Sequence, residues 1–195
     1  MNQDKHVAAD EPEKAWLDFA RRHKAEGGFD SKESRYNFKG NRWVIKKEGQ
    51  FEIQFNWNVL FSRQSSSGVK ICTDFLFPIN FSGELKLEIY PNDFFTSLLL
   101  LINSNKVKIG DVELDRKFIF VTNKSELIEA IVPEMKNVNS ICSGEDFIVQ
   151  IEGEKIGIEG KRILIQVNEL LKEEAIIEAF YNLGAAMQQK SNKVF

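Results

Sequence analysis

Between Phe51 and Asn58 every second side chain is large and apolar: Phe51, Ile53, Phe55 and Trp57 alternate with Glu52, Gln54, Asn56 and Asn58. A β-strand turns successive side chains to opposite faces, so this run offers one face to a core and one to water. On a helix the spacing of two would spread these four residues around the axis instead of gathering them on one stripe. The chain must therefore build a sheet with at least one covered face.

Other segments repeat that signature. Strands are expected at 35–39 and 42–47 around a Gly40-Asn41 turn, and along Leu85, Leu87 and Ile89 after Gly83. Further strands are expected at 118–121, 147–152, 155–159 and 162–167. Phe75, Phe77, Ile79 and Phe81 alternate as well, although Pro78 predicts an edge or a bulge at the centre of that run.

Helical signals occupy the intervals. Asp10-Glu11-Pro12-Glu13 has the spacing of a capped start, with Trp16, Phe19, Ala20 and His23 on one stripe and Gly27-Gly28 as the stop. Residues 94–102 are apolar nearly all round, which predicts a short helix buried on more than one side. A helix over 125–135, capped by Ser125, presents Leu127, Ile128, Ile131 and Val132, and Pro133 is expected to interrupt its last turn. The last helix, over 168–189, carries Leu170, Ile177, Tyr181, Gly184 and Met187 along one face.

The expected fold is α+β: an antiparallel meandering sheet with helices packed mainly on one face and a long C-terminal helix. The polar segment 1–9 is expected to be a mobile tail, and 10–195 a single domain, with 103–110 the place where two sub-halves would divide. The start of the chain lacks a signal-peptide pattern, and its longest apolar run is far short of a membrane span, so a cytoplasmic protein is expected.

The chemistry-bearing residues exclude more than they suggest. Only His6 and His23 are available, which argues against histidine-centred catalysis and zinc sites. Cys72 and Cys142 stand far apart among apolar neighbours and read as buried thiols. No phosphate-cradling glycine loop and no nucleophile elbow is found, so no catalytic residue, no metal ligand and no cofactor is assigned, and the balance leans away from an enzyme. A net charge of −3 argues against nucleic acid as the main partner. The basic stretch of Arg35, Lys39, Arg42, Lys46 and Lys47 reads as the solvated face of a strand pair. Asp111, Glu113 and Asp115 would share one strand face and suit a hard cation, but Arg116 and Lys117 follow at once and Gly110-Asp111 reads as a turn, so a solvated turn leading into a strand is the reading taken.

Sixteen phenylalanines leave one sharper idea. Phe55, Trp57, Phe75 and Phe77 from the strands, with Ile177 and Tyr181 from the last helix, are the candidate lining of an apolar pocket between sheet and helix. A filled core explains the same rings with fewer assumptions.

Two segments carry a resemblance. The run Trp16 to His23 (WLDFARRH) with the strand pair around Gly40 resembles the opening of several uncharacterised bacterial protein families. The run 110–123 (GDVELDRKFIFVTN), followed by a helix ending near Pro133-Glu134, resembles the strand of those families that carries an aspartate, two basic residues and a phenylalanine, together with their next helix. Many of those relatives carry membrane-spanning segments ahead of this region, and this sequence shows none. The families have no assigned activity, so the resemblance implies no functional residue.

The leading expectation is a non-catalytic interaction domain with a protein partner. The alternative is a carrier of a small apolar ligand between the sheet and the C-terminal helix, and behind it comes an enzyme using Asp111, Glu113 and Asp115 with a metal.

Overall fold

The run that alternates from Phe51 becomes the third strand of a wide sheet, and its period decides where the core lies. The computed structural model describes residues 11–30, 41–60, 68–80, 84–92, 106–142, 147–152 and 161–193. Among these the chain forms, in order, α1 (Glu11–Arg22), β1 (Glu26–Asp30), β2 (Asn41–Lys47), β3 (Phe51–Leu60), β4 (Gly68–Ile79), β5 (Leu87–Pro91) and β6 (Lys106–Val107). It continues with α2 (Val112–Lys117), β7 (Phe118–Thr122), α3 (Ser125–Ile141), β8 (Phe147–Glu152), β9 (Lys161–Val167) and α4 (Glu174–Lys193).

The nine strands make one sheet in the order β1-β2-β3-β4-β9-β8-β5-β7-β6, every neighbouring pair antiparallel. The first four strands follow the chain as a meander. The β8–β9 pair then inserts beside β4, so two strands from late in the chain occupy the middle of the sheet. The fold is α+β, with a long C-terminal helix.

Register shows which face is covered. Ile53 pairs with Phe75 and Phe75 with Ile165, and all three are fully buried. The helices pack against that face: α1 contacts β1 and β2, α4 lies on β4 and β9, and α3 runs beside α4 and reaches β7. Each helix brings the stripe its sequence provides. On α3 the buried residues are Leu127, Ile128, Ile131, Met135 and Val138, at steps of three and four. On α4, Ile176, Phe180, Leu183 and Met187 repeat that spacing. Burying a ring such as Phe75 or Phe180 stabilises by about 2–3 kcal/mol relative to leaving it in water.

A buried polar junction ties three elements together. The Oγ1 of Thr73 in β4 donates to the carbonyl of Glu169 at 2.7 Å and accepts from the N–H of Leu171 at 3.2 Å. From α1, the indole N–H of Trp16 donates to the carbonyl of Leu171 at 2.7 Å. The link between β9 and α4 is thus fixed to β4 and to α1. Trp16 also stacks on Phe55, with ring centroids 4.0 Å apart.

Several expectations are corrected. Gly27-Gly28 does not end α1; the helix stops at Arg22, Lys24 takes a positive φ of 52°, and the glycines belong to β1. The reason at Gly27 is space, since a β-carbon there would stand 3.1 Å from the Trp43 ring. The edge expected at Pro78 is local: β4 as a whole lies between β3 and β9, but past Glu52↔Leu76 it pairs with β9 alone. Pro133 does not break α3, which continues to Ile141 with Pro133 exposed and the buried stripe elsewhere. Ser125 is the first residue of α3 rather than its cap, a position held by Lys124. The last helix begins at Glu174, later than expected, because Thr73 and Trp16 take hydrogen bonds with the backbone of Glu169 and Leu171 that a helix there would use itself. Segment 112–117 is a helix and not the start of a strand. The tail, the strands at 35–39 and 155–159, the loop after Ser62 and the helix at 94–102 lie outside the described residues.

Helix α4 comes close to the sheet at Gly184, where a β-carbon would stand 1.9 Å from Cε2 of Phe77. Gly184→Ala is expected to destabilise by about 2 kcal/mol or more through overpacking. Gly28→Ala, whose added carbon meets nothing within 4 Å, is expected to stay within about 0.5 kcal/mol of the parent. Urea unfolding followed by circular dichroism measures both; equal losses for the two variants contradict the packing described.

Candidate functional site

The residues expected to line an apolar pocket are core. Phe55, Phe75 and Ile177 are fully buried, and Phe77 is 1% exposed. They are brought near one another but packed solid. Phe55 lies under Trp16, Phe75 stands 5.7 Å from Phe180 between centroids, and Phe77 meets the backbone of α4 at Gly184. Tyr181 sits at the edge of this core, 4.9 Å from Phe51 and 5.9 Å from Phe77 between centroids. Burial, and then the charge of Glu178, push its hydroxyl above the ordinary tyrosine value. The side chain of Trp57 lies outside the described residues; its backbone pairs with Asn41 and Ile71.

His23 packs on Phe19 at 4.3 Å between centroids, and its Nε2 lies 3.0 and 3.1 Å from the two carboxylate oxygens of Glu178. Arg22 adds an ion pair to Glu174 at 2.6 Å. These contacts join the end of α1 to the first turns of α4, a structural use of the histidine. Cys72 and Cys142 are buried, as their apolar neighbours predict.

The acidic cluster has internal employment. Asp111 caps α2, accepting from the N–H groups of Glu113 and Leu114, and pairs with Lys136 of α3 at 2.8 Å. Asp115 accepts from the N–H groups of Ile109 and Gly110, and Glu113 accepts from Asn139. The helix turns these carboxylates in different directions, and among the described residues no group of three or more histidine, cysteine or acidic side chains is placed to hold a metal. The hydrogen bond from Lys136, and after it that from Leu114, hold the Asp111 carboxyl below the ordinary carboxylate range.

A recess with charged walls opens where the sheet is stepped. The last β3–β4 pair is Glu52↔Leu76, whereas β4 continues to Ile79 and is paired there with β9 alone, Pro78 with Arg162 and Ile79 with Lys161. The turn from β2 into β3 stops short of that extension, leaving a cleft of about 470 Å³. Among the described residues, Lys46 and Lys47 from β2, Lys161 and Arg162 from β9 and Glu52 line it, and the register sets Glu26 and Glu52 on either side of Lys46 and Glu152 opposite Arg162. Phe51, Leu76 and Pro78 contribute apolar wall. Register places Lys46 and Arg162 in rows of the sheet face opposite the helices, and Lys47 and Lys161 in rows of the helix-bearing face, so the charges flank the strand ends from both sides.

Two contacts bridge the rim of the cleft. Gln188 of α4 donates from Nε2 to the carbonyls of Pro78, at 2.7 Å, and Gln50, at 3.1 Å, tying the turn to the end of β4. Gly49 holds a positive φ of 70°, a conformation that lets the turn close tightly. Glu52 accepts from Gln54 beside it.

In sequence, Lys46 and Lys47 belong to the basic stretch read as a solvated face, and nothing local joins them to Lys161 and Arg162. The joining signal is the strand order, with β9 inserted next to β4. No protein family, no curated protein and no solved structure matches the chain.

The lowered carboxyl of Asp111 gives a signed pH dependence. Its contribution to stability is complete above the unfolded-state value near about 4 and is lost as pH falls through the lower folded-state value. The gap in urea midpoint between the parent and Asp111→Asn should hold down to about pH 5 and close on further acidification. A gap that does not change with pH contradicts the cap and the Lys136 pair as its source.

Proposed function

We propose that the chain is a non-catalytic, cytoplasmic interaction domain that receives an extended segment of a protein partner along strand β1. The observation that carries this reading is the edge of the sheet. Strand β1 has its register partners in β2 only, from Glu26↔Lys46 to Asp30↔Arg42, and no other described strand stands on its outer side. An edge with its outer backbone groups unladdered is a template for strand addition, in which main-chain bonds supply affinity.

The local chemistry suits that use. Glu26, Gly27 and Gly28 are exposed, and the two glycines put no side chain in the way of an approaching backbone. Charge is confined to the ends of the strand, at Glu26 and Asp30. The solid packing of Phe55, Phe75 and Phe77 supports a surface role over carriage of a ligand inside. Among the described residues no helix is long and apolar enough to cross a membrane, which is compatible with the cytoplasmic assignment. The likeness to uncharacterised bacterial families adds no activity to this reading.

Capture of partners on the full chain, followed by lysine cross-linking and mass spectrometry, tests the assignment. Cross-links to partner peptides should concentrate at Lys24 and Lys46, which flank β1. Partner cross-links confined to lysines of α3 or α4 would sink it.

A further inference from the structure

We propose that the segment received along β1 lays a large aromatic side chain across Gly28, on the sheet face turned away from the helices. The inference rests on the edge reading and deepens it by naming the side chain that the edge selects.

The two glycines of β1 differ in what stands over them. Gly27 pairs with the fully buried Ile45 and belongs to the helix-bearing face. A β-carbon there would meet the Trp43 ring at 3.1 Å and Cβ of Ala20 at 3.6 Å, so the space of its missing side chain is already filled. Gly28 pairs with Val44 on the opposite face, and a β-carbon there would meet nothing within 4 Å among the described residues. Successive residues of a strand point to opposite faces, so the edge is filled on one face and notched on the other.

Val44 makes the notch selective. Its neighbours Trp43 and Ile45 are buried on the helix side, whereas Val44 is half-buried on the other face. A strand added to β1 sets one residue beside Gly28, and an aromatic ring on a neighbouring strand can lie across an edge glycine and cover it. Beyond the glycine such a ring meets Val44, and an aromatic against a β-branched side chain is a favourable cross-strand combination. Distance decides between side chains. The added strand would lie two strand spacings from β2, roughly 9–10 Å, which a tyrosine or phenylalanine ring spans together with the valine and an alanine does not.

The test is an NMR titration of the isotope-labelled full chain with two capped, threonine-rich peptides that end in lysines for solubility. One carries tyrosine at its centre and the other alanine. The tyrosine peptide should give saturable shifts at the amides of Glu26, Gly27 and Gly28 and bind about fivefold more tightly than the alanine peptide. Intermolecular NOEs should run from the tyrosine ring to the α-protons of Gly28 and the methyls of Val44. Val44→Ala should bring the two affinities to within about twofold of each other. Spectra away from β1 report whether that variant stays folded, and Val44→Ser replaces it if it does not. Saturable shifts at β1 with equal affinity for the two peptides, ring NOEs to Trp43 in place of Val44, or a tyrosine advantage that Val44→Ala leaves intact would overturn the inference and leave the edge reading standing. No saturable shift at β1 with either peptide overturns both.

Discussion

Phe77 and Gly184 meet in the middle of the molecule, where α4 lies directly on β4. With no side chain at Gly184, the helix descends until its backbone rests on the phenylalanine ring. Phe180 then reaches both Phe75 and Phe147, joining α4 to β4 and to β8. From this central helix the others take their places: α1 is held through Trp16 and the His23–Glu178 contact, and α3 packs along α4. Close packing of this kind also removes interior room, which moves any ligand to the surface.

The sheet order has functional consequences that follow from the same core. Because β9 runs beside β4, Lys161 and Arg162 arrive at the end of a strand pair whose other cations were made more than a hundred positions earlier. An uninterrupted meander would have kept these charges apart. The position of β1 at the rim likewise belongs to this order, in which the late strands lie at the centre and β1 has one neighbour among the described strands.

Much of this was legible wherever one face of an element is wet and the other dry. Phe51, Ile53 and Phe55 announce β3 by their alternation, and Leu127, Ile128 and Ile131 announce α3 by their helical spacing, because burial imposes those periods. Legibility failed where tertiary contacts overrode local signals. Gly27-Gly28 reads as a helix stop, yet Gly27 serves a strand by making room for Trp43. The alternating acids of 111–115 read as a strand, yet Asp111 caps a helix whose single buried contact is Leu114. The stretch 169–171 reads as helix, and hydrogen bonds with Thr73 and Trp16 hold its backbone outside one. For the candidate site the lysines of β2 were visible, but their convergence with Lys161 and Arg162 depends on pairing between distant strands, which no local pattern encodes.

Native-state hydrogen exchange measured across a denaturant series tests most directly whether α4 and the central strands form one cooperative unit. The amides of Phe180, Leu183 and Met187 should open with the same free energy as those of Phe75 and Ile165, which is that of global unfolding. Release of α4 at markedly lower free energy, with β4 and β9 still protected, would contradict the account.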